Sequence, residues 1–125
     1  MKIIKKNKPR KFIVGNKKKI IIKDCAKIFL NKNEQITFIG KNKLEYDVAR
    51  KDWGFYATPS LNGRLKKFGL KSALVRSKIS NMFYILLVEK NKKKEFNKYI
   101  KDENCEIITW LDSDKMLSKI KKNAR

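Results

Sequence analysis

Residues 72–111, SALVRSKISNMFYILLVEKNKKKEFNKYIKDENCEIITWL, decide the fold class. Two β-prone apolar runs, Ser72–Arg76 and Met82–Glu89, flank the polar stretch Ser77-Lys78-Ile79-Ser80-Asn81, the pattern of a hairpin. The second run is almost continuously apolar and reads as a central strand buried on both faces. The period then changes: in Lys92–Glu103 the apolar residues Phe96, Tyr99 and Ile100 recur at i, i+3 and i+4, one face of a short helix. Asn104 tolerates the left-handed conformation that ends helices. Cys105–Leu111, with Ile107, Ile108 and Trp110, returns to β character. Strand, helix, strand predicts a crossover onto one sheet, right-handed if the two strands are parallel.

Upstream, short apolar runs alternate with turn signals. Phe12–Val14 precedes Gly15-Asn16, and Ile20, Ile21 and Ile22 follow. Ala26, Ile28 and Leu30 fall at every second position, Leu44, Tyr46 and Val48 alternate with acidic residues, and between the two runs lies Gln35–Ile39. These spacings predict an antiparallel meander of about four strands. Phe55–Thr58 is β-prone and is ended, or held at an edge, by Pro59. Downstream, Asp112 or Ser113 is placed to cap a final helix bearing Met116, Leu117 and Ile120. The expected organisation is a flexible basic arm over 1–10, with Pro9 opposing regular structure, a single α+β domain over 11–112, and a short basic helix or tail over 113–125. The fold class is α+β: a small antiparallel or mixed sheet with one or two short helices.

Composition supports a folded domain and narrows its partners. The chain has 125 residues, 42% of them hydrophobic, with seven Phe, four Tyr and two Trp, too apolar for a disordered segment. Lys and Arg total 33 against 12 Asp and Glu, a net charge of +21. A Lys-, Asn- and Ile-rich composition of the kind an AT-rich genome favours explains why Lys is chosen over Arg, but not why acids are scarce. The excess is also clustered. Residues 1–23 hold ten basic residues and no acid, 64–78 hold six and no acid, and 112–125 hold five against two. Such blocks point to an anionic partner.

The chain has no histidine, which removes the commonest general base and metal ligand. It contains no GxGxxG, no GxxxxGK[ST] and no GxSxG. Cys25 and Cys105 form no metal-ligand spacing and are expected to be buried free thiols in a reducing cytoplasm. The basic N-terminus is followed by no signal-peptide core, and the longest apolar run, Phe83–Val88, is far too short to span a membrane. No catalytic residue, metal or cofactor is expected, and a non-enzymatic role is favoured over a small enzyme.

The segment Asp52–Leu65, DWGFYATPSLNGRL, is the densest in potential contacts. Ser60, Asn62 and Gly63 have the chemistry of an anion-cradling turn. Arg64, an arginine where this chain normally writes lysine, is suited to grip a phosphate or carboxylate. Trp53 and Tyr56 offer stacking faces for a base or sugar. Lys66, Lys67, Lys71 and Arg76 follow as a phosphate-facing rim. The block WGFYATPSLNGRLKKFGLKSALV over 53–75, with MFYILLVEK and CEIITWL after it, resembles a group of small uncharacterised bacterial proteins, over roughly residues 24–112. That resemblance implies a bacterial cytoplasmic protein and brings no activity or site residue with it.

The expected function is a non-enzymatic accessory or binding module for an anionic partner, foremost nucleic acid. The alternatives are an accessory protein of surface-polysaccharide or nucleotide-sugar metabolism binding a phosphorylated or acidic sugar, and a small histidine-free enzyme. A protein partner is compatible with each.

Overall fold

In the computed structural model, which describes residues 1–124, the chain opens with two long antiparallel strands, β1 (Lys2–Val14) and β2 (Ile20–Phe29). They are rich in Ile, whose β-branched side chain favours the extended backbone. The stretch 1–10 expected as an arm is therefore strand. Pro9 is tolerated because the register slips between Lys5, paired with Ala26, and Arg10, paired with Asp24. A residue without an N–H costs least where the ladder is interrupted. Gly15 turns the ribbon with φ +106, and a Cβ there would lie 2.1 Å from the Lys18 carbonyl oxygen, so only glycine fits.

The ribbon is strapped to the rest of the chain at both ends. At its tip the Asn16 backbone N–H donates to Glu103 Oε2 at 3.0 Å and its Nδ2 donates to the Glu103 carbonyl, also at 3.0 Å. At its base the N-terminal ammonium lies 3.0 Å from Glu34 Oε1.

The second sheet has the order β3 (Gln35–Ile39), β4 (Glu45–Lys51), β5 (Gly54–Tyr56). The third places β6 (Leu70–Ser77) between β7 (Phe83–Glu89) and β8 (Cys105–Trp110). All the pairings are antiparallel. The class is thus α+β, as the pattern predicts. Because β7 and β8 both run against β6, they run parallel to each other, and the chain crosses between them over β6 through a 3₁₀ turn (Lys90–Lys92) and a helix, Lys93–Asp102.

That crossover corrects one expectation. β6 is the central strand and β7 an edge, although β7 is the more apolar. Returning to the far side of β6 leaves nothing to pair with the outer side of β7. Asn104 does end the helix, with φ 54.

The helices are α1 (Arg64–Lys67), which packs on β6, the crossover helix α2 (Lys93–Asp102), and α3 (Asp114–Asn123). Ser113 caps α3 by accepting from the Met116 N–H at 3.3 Å. No helix among the described residues is long and apolar enough to cross a membrane. The core lies between α2 and the third sheet, where Phe96 and Ile100 meet Ala73, Val75 and Val88, with Trp110 tilted against Phe96 at 5.9 Å. The thiols depart from expectation: Cys25 is exposed and Cys105 half-buried, because Cys25 lies on the uncovered ribbon.

Stability should therefore depend on residue location in a testable way. Leu65→Ala, at a side chain 0% exposed, should cost about 2–5 kcal/mol in urea unfolding. Ile13→Ala, at a ribbon residue 67% exposed, should change stability by less than about 0.5 kcal/mol.

Candidate functional site

Ser60 and Arg64 are brought together by a tight turn that consumes its own donors. Ser60 Oγ accepts the Arg64 N–H at 2.7 Å, while the Ser60 carbonyl accepts the N–H groups of Gly63 and Leu65 at 3.3 and 3.1 Å. The anion cradle expected there is thus occupied by the turn itself. Asn62 Nδ2 donates to Asp114 Oδ1 at 2.8 Å and ties the turn to the start of α3.

Arg64 reaches across to β4. Its Nε and Nη2 lie 3.0 and 2.9 Å from Asp47 Oδ2, and its guanidinium sits 4.9 Å from the centre of the Phe68 ring. Asp47 is buried and also accepts from Thr37 Oγ1 at 2.7 Å, whereas Arg64 is 53% exposed. The arginine balances a carboxylate held in the sheet, which explains why a forked guanidinium stands here instead of an ammonium.

The same holds along the basic block. Lys71 Nζ lies 3.0 Å from Asp112 Oδ2 and over the Trp110 ring, and Arg76 Nε donates to Glu106 Oε1 at 2.8 Å. Lys71 and Arg76 are an odd number of residues apart in one strand, so they project to opposite faces of the sheet. They form no common rim. Lys66 and Lys67 are exposed on α1, and among the described residues neither pairs with a carboxylate. Trp53 and Tyr56 are exposed. Tyr56 and Arg64 line an open cleft of about 290 Å³ with Gln35, Asp47, Ala49 and Pro59, and Trp53 is not part of it.

The concentration of uncompensated charge lies instead on the ribbon. Over residues 2–29 it has 11 basic residues and one acid, Asp24. Asp24 binds Lys6 at 2.6 Å and lies 3.7 Å from Arg10, while Lys17 reaches Asp102 at 3.9 Å. Lys2, Lys5, Lys8, Lys11, Lys18, Lys19, Lys23 and Lys27 are exposed with no carboxylate partner among the described residues. Lys11 and Lys23 stand directly opposite each other in the ladder. Exposed Ile13, Ile21 and Phe12 interleave with these ammonium groups. The acid-free composition of 1–23 carried the signal for this surface. What it could not show was that the segment is an ordered two-stranded platform rather than an arm.

Among the described residues no three His, Cys, Asp or Glu side chains gather as metal ligands. The chain matches no known protein-family model, no curated protein and no solved structure.

Two outcomes are expected. Arg64→Ala should destabilise the fold by about 1–2 kcal/mol through the loss of charged hydrogen bonds to a buried carboxylate, and a double-mutant cycle with Asp47→Ala should show the two effects to be coupled. The Asp24 carboxyl is held below its ordinary 3.8, first by the hydrogen bond from Lys6 and further by the charges of Lys6, Arg10 and Lys27, against the opposing effect of desolvation. A carboxylate favoured by folding contributes fully above its ordinary value and loses that contribution as pH falls through the lowered one. Hydrogen-exchange protection in β1, taken relative to the intrinsic amide rate at each pH, should therefore fall below about pH 4, and Asp24→Asn should remove that pH step.

Proposed function

We propose that the protein is a non-enzymatic binding module for nucleic acid and that the β1–β2 ribbon is its contact surface. The observation that carries this reading is the set of eight exposed lysines without a carboxylate partner among the described residues, spread over both faces and the turn of a ribbon with one acid. Ammonium groups without carboxylate partners are available to replace condensed counterions on a phosphate backbone. The shape is compatible with a duplex. A two-stranded ribbon fits a major groove about 12 Å wide, and ten residues of β2 extend about 33 Å, close to the roughly 34–36 Å of one duplex turn. Lysines contacting phosphates would give affinity and register without base choice, so sequence-independent binding of duplex DNA follows. The unpaired thiols Cys25 and Cys105 fit a reducing cytoplasm.

A second reading rests on the cleft at Tyr56 and Arg64, which is the size of a small-ligand site and would take a phosphorylated or acidic sugar beside the guanidinium. Asp47 weakens it, because the same guanidinium already serves a carboxylate.

Fluorescence anisotropy separates the two. A labelled duplex of about 20 base pairs, titrated at about 50 and 200 mM salt, should bind more tightly than heparin at the higher salt. Lys11→Ala with Lys23→Ala should lower the slope of log K against log salt by about 1–2. Arg64→Ala should leave binding unchanged. A duplex indistinguishable from heparin, or binding indifferent to the ribbon lysines, would overturn the proposal. A melting shift with a phosphorylated sugar, lost in Arg64→Ala, would favour the cleft.

A further inference from the structure

The chain exposes 9896 Å², whereas a compact monomer of 14.8 kDa exposes about 7,000 Å². The excess of about 2,900 Å² is several times the roughly 800 Å² per partner that a standard stable interface buries. Part of it belongs to the ribbon, but part lies on a surface of opposite character, the outer edge of β7.

From Ile79 to Val88 ten consecutive residues carry no charge, in a chain that is 36% charged. Phe83–Val88, the apolar body of β7, is an edge strand. Among the described residues no group outside its own sheet bonds its backbone. Natural edges are usually blunted by lysine, proline or shortness. The ribbon edges carry lysines throughout, β5 has three residues, β8 contains Glu106, and β3 has five residues with Phe38 stacked on Tyr46 at 5.1 Å. β7 has no lysine or proline and seven residues, and its one charge, Glu89, stands at its last position. On its face opposite α2, Phe83 and Ile85 are 56% and 58% exposed.

We propose that β7 is the interface of a symmetric dimer, in which it pairs antiparallel with β7 of a second copy across a two-fold axis and joins two three-stranded sheets into one of six. The occupant is a second copy for three reasons. A two-fold axis pairs a strand with itself antiparallel, the pairing used throughout this sheet. Phe83 and Ile85 on one copy meet the same uncharged side chains on the other. Two chains of +21 can approach only where no like charges are brought together, and this is the longest strand edge without a lysine. The dimer rests on a different surface from the ribbon and is measured without nucleic acid, so either proposal can fail alone.

Sedimentation velocity of the full chain, at about 1–100 µM and about 0.2 M salt to screen its charge, should show a species of twice 14.8 kDa at the upper concentrations. Ile85→Lys should weaken association by at least about 100-fold, since it places two ammonium groups at one interface, with the far-ultraviolet circular dichroism unchanged. Ile39→Lys, on the edge of β3, should leave the dimer intact. If Ile85→Lys fails to fold, wild-type hydrogen exchange still decides: β7 amides should exchange more slowly at high than at low concentration, and β3 amides equally at both. A wild-type monomer throughout, a dimer insensitive to Ile85→Lys, or concentration-independent exchange in β7 would overturn the proposal.

Discussion

Like-charge repulsion is the constraint under which every element of this chain folds, because 33 cations share 12 carboxylates. Where strands and helices pack, a carboxylate is placed against the cation that must be there: Asp47 against Arg64, Asp112 against Lys71, Glu106 against Arg76. Asp112 is almost wholly buried and holds its lysine over Trp110, so the ion pair and the aromatic contact reinforce each other. The remaining cations stand exposed in water, on α1 as Lys66 and Lys67 and most densely on the extended ribbon, which has a single acid. The contrast between packed cations that are paired and a ribbon with almost no acid of its own follows from that scarcity, and so does the tethering of the ribbon by Glu34, Asp102 and Glu103.

This division explains what could be read from the residues and what could not. The change of period between Met82–Glu89 and Lys92–Glu103 located β7, α2 and β8 within a residue or two, because hydrophobic periodicity is a local property. Ser113 was legible as a cap for the same reason. Strand order was not. Continuous apolarity in Phe83–Val88 resembles a central strand, yet the crossover of α2 makes β6 central, and that depends on where the chain returns. The extent of β1 was hidden by Pro9, which normally ends strands and here falls in a register slip.

The candidate site was misleading in a parallel way. Residues 64–78 contain no acid, so Arg64, Lys71 and Arg76 look available. Their partners come from β4, from β8 and from the residue before the α3 cap, at separations of 17, 30 and 41 residues. A window along the sequence counts charge but does not pair it. For 1–23 the count and the pairing agree, because the ribbon's neighbour strand supplies only Asp24.

Lysine footprinting tests the central claim most directly. An amine-reactive reagent applied to the full chain, with and without duplex DNA, reports which ammonium groups the ligand covers. The account predicts protection of Lys2, Lys5, Lys8, Lys11, Lys23 and Lys27 on the ribbon, with Lys66 and Lys67 on α1 unchanged. Protection confined to Lys66 and Lys67, or spread evenly over every exposed lysine, would contradict it.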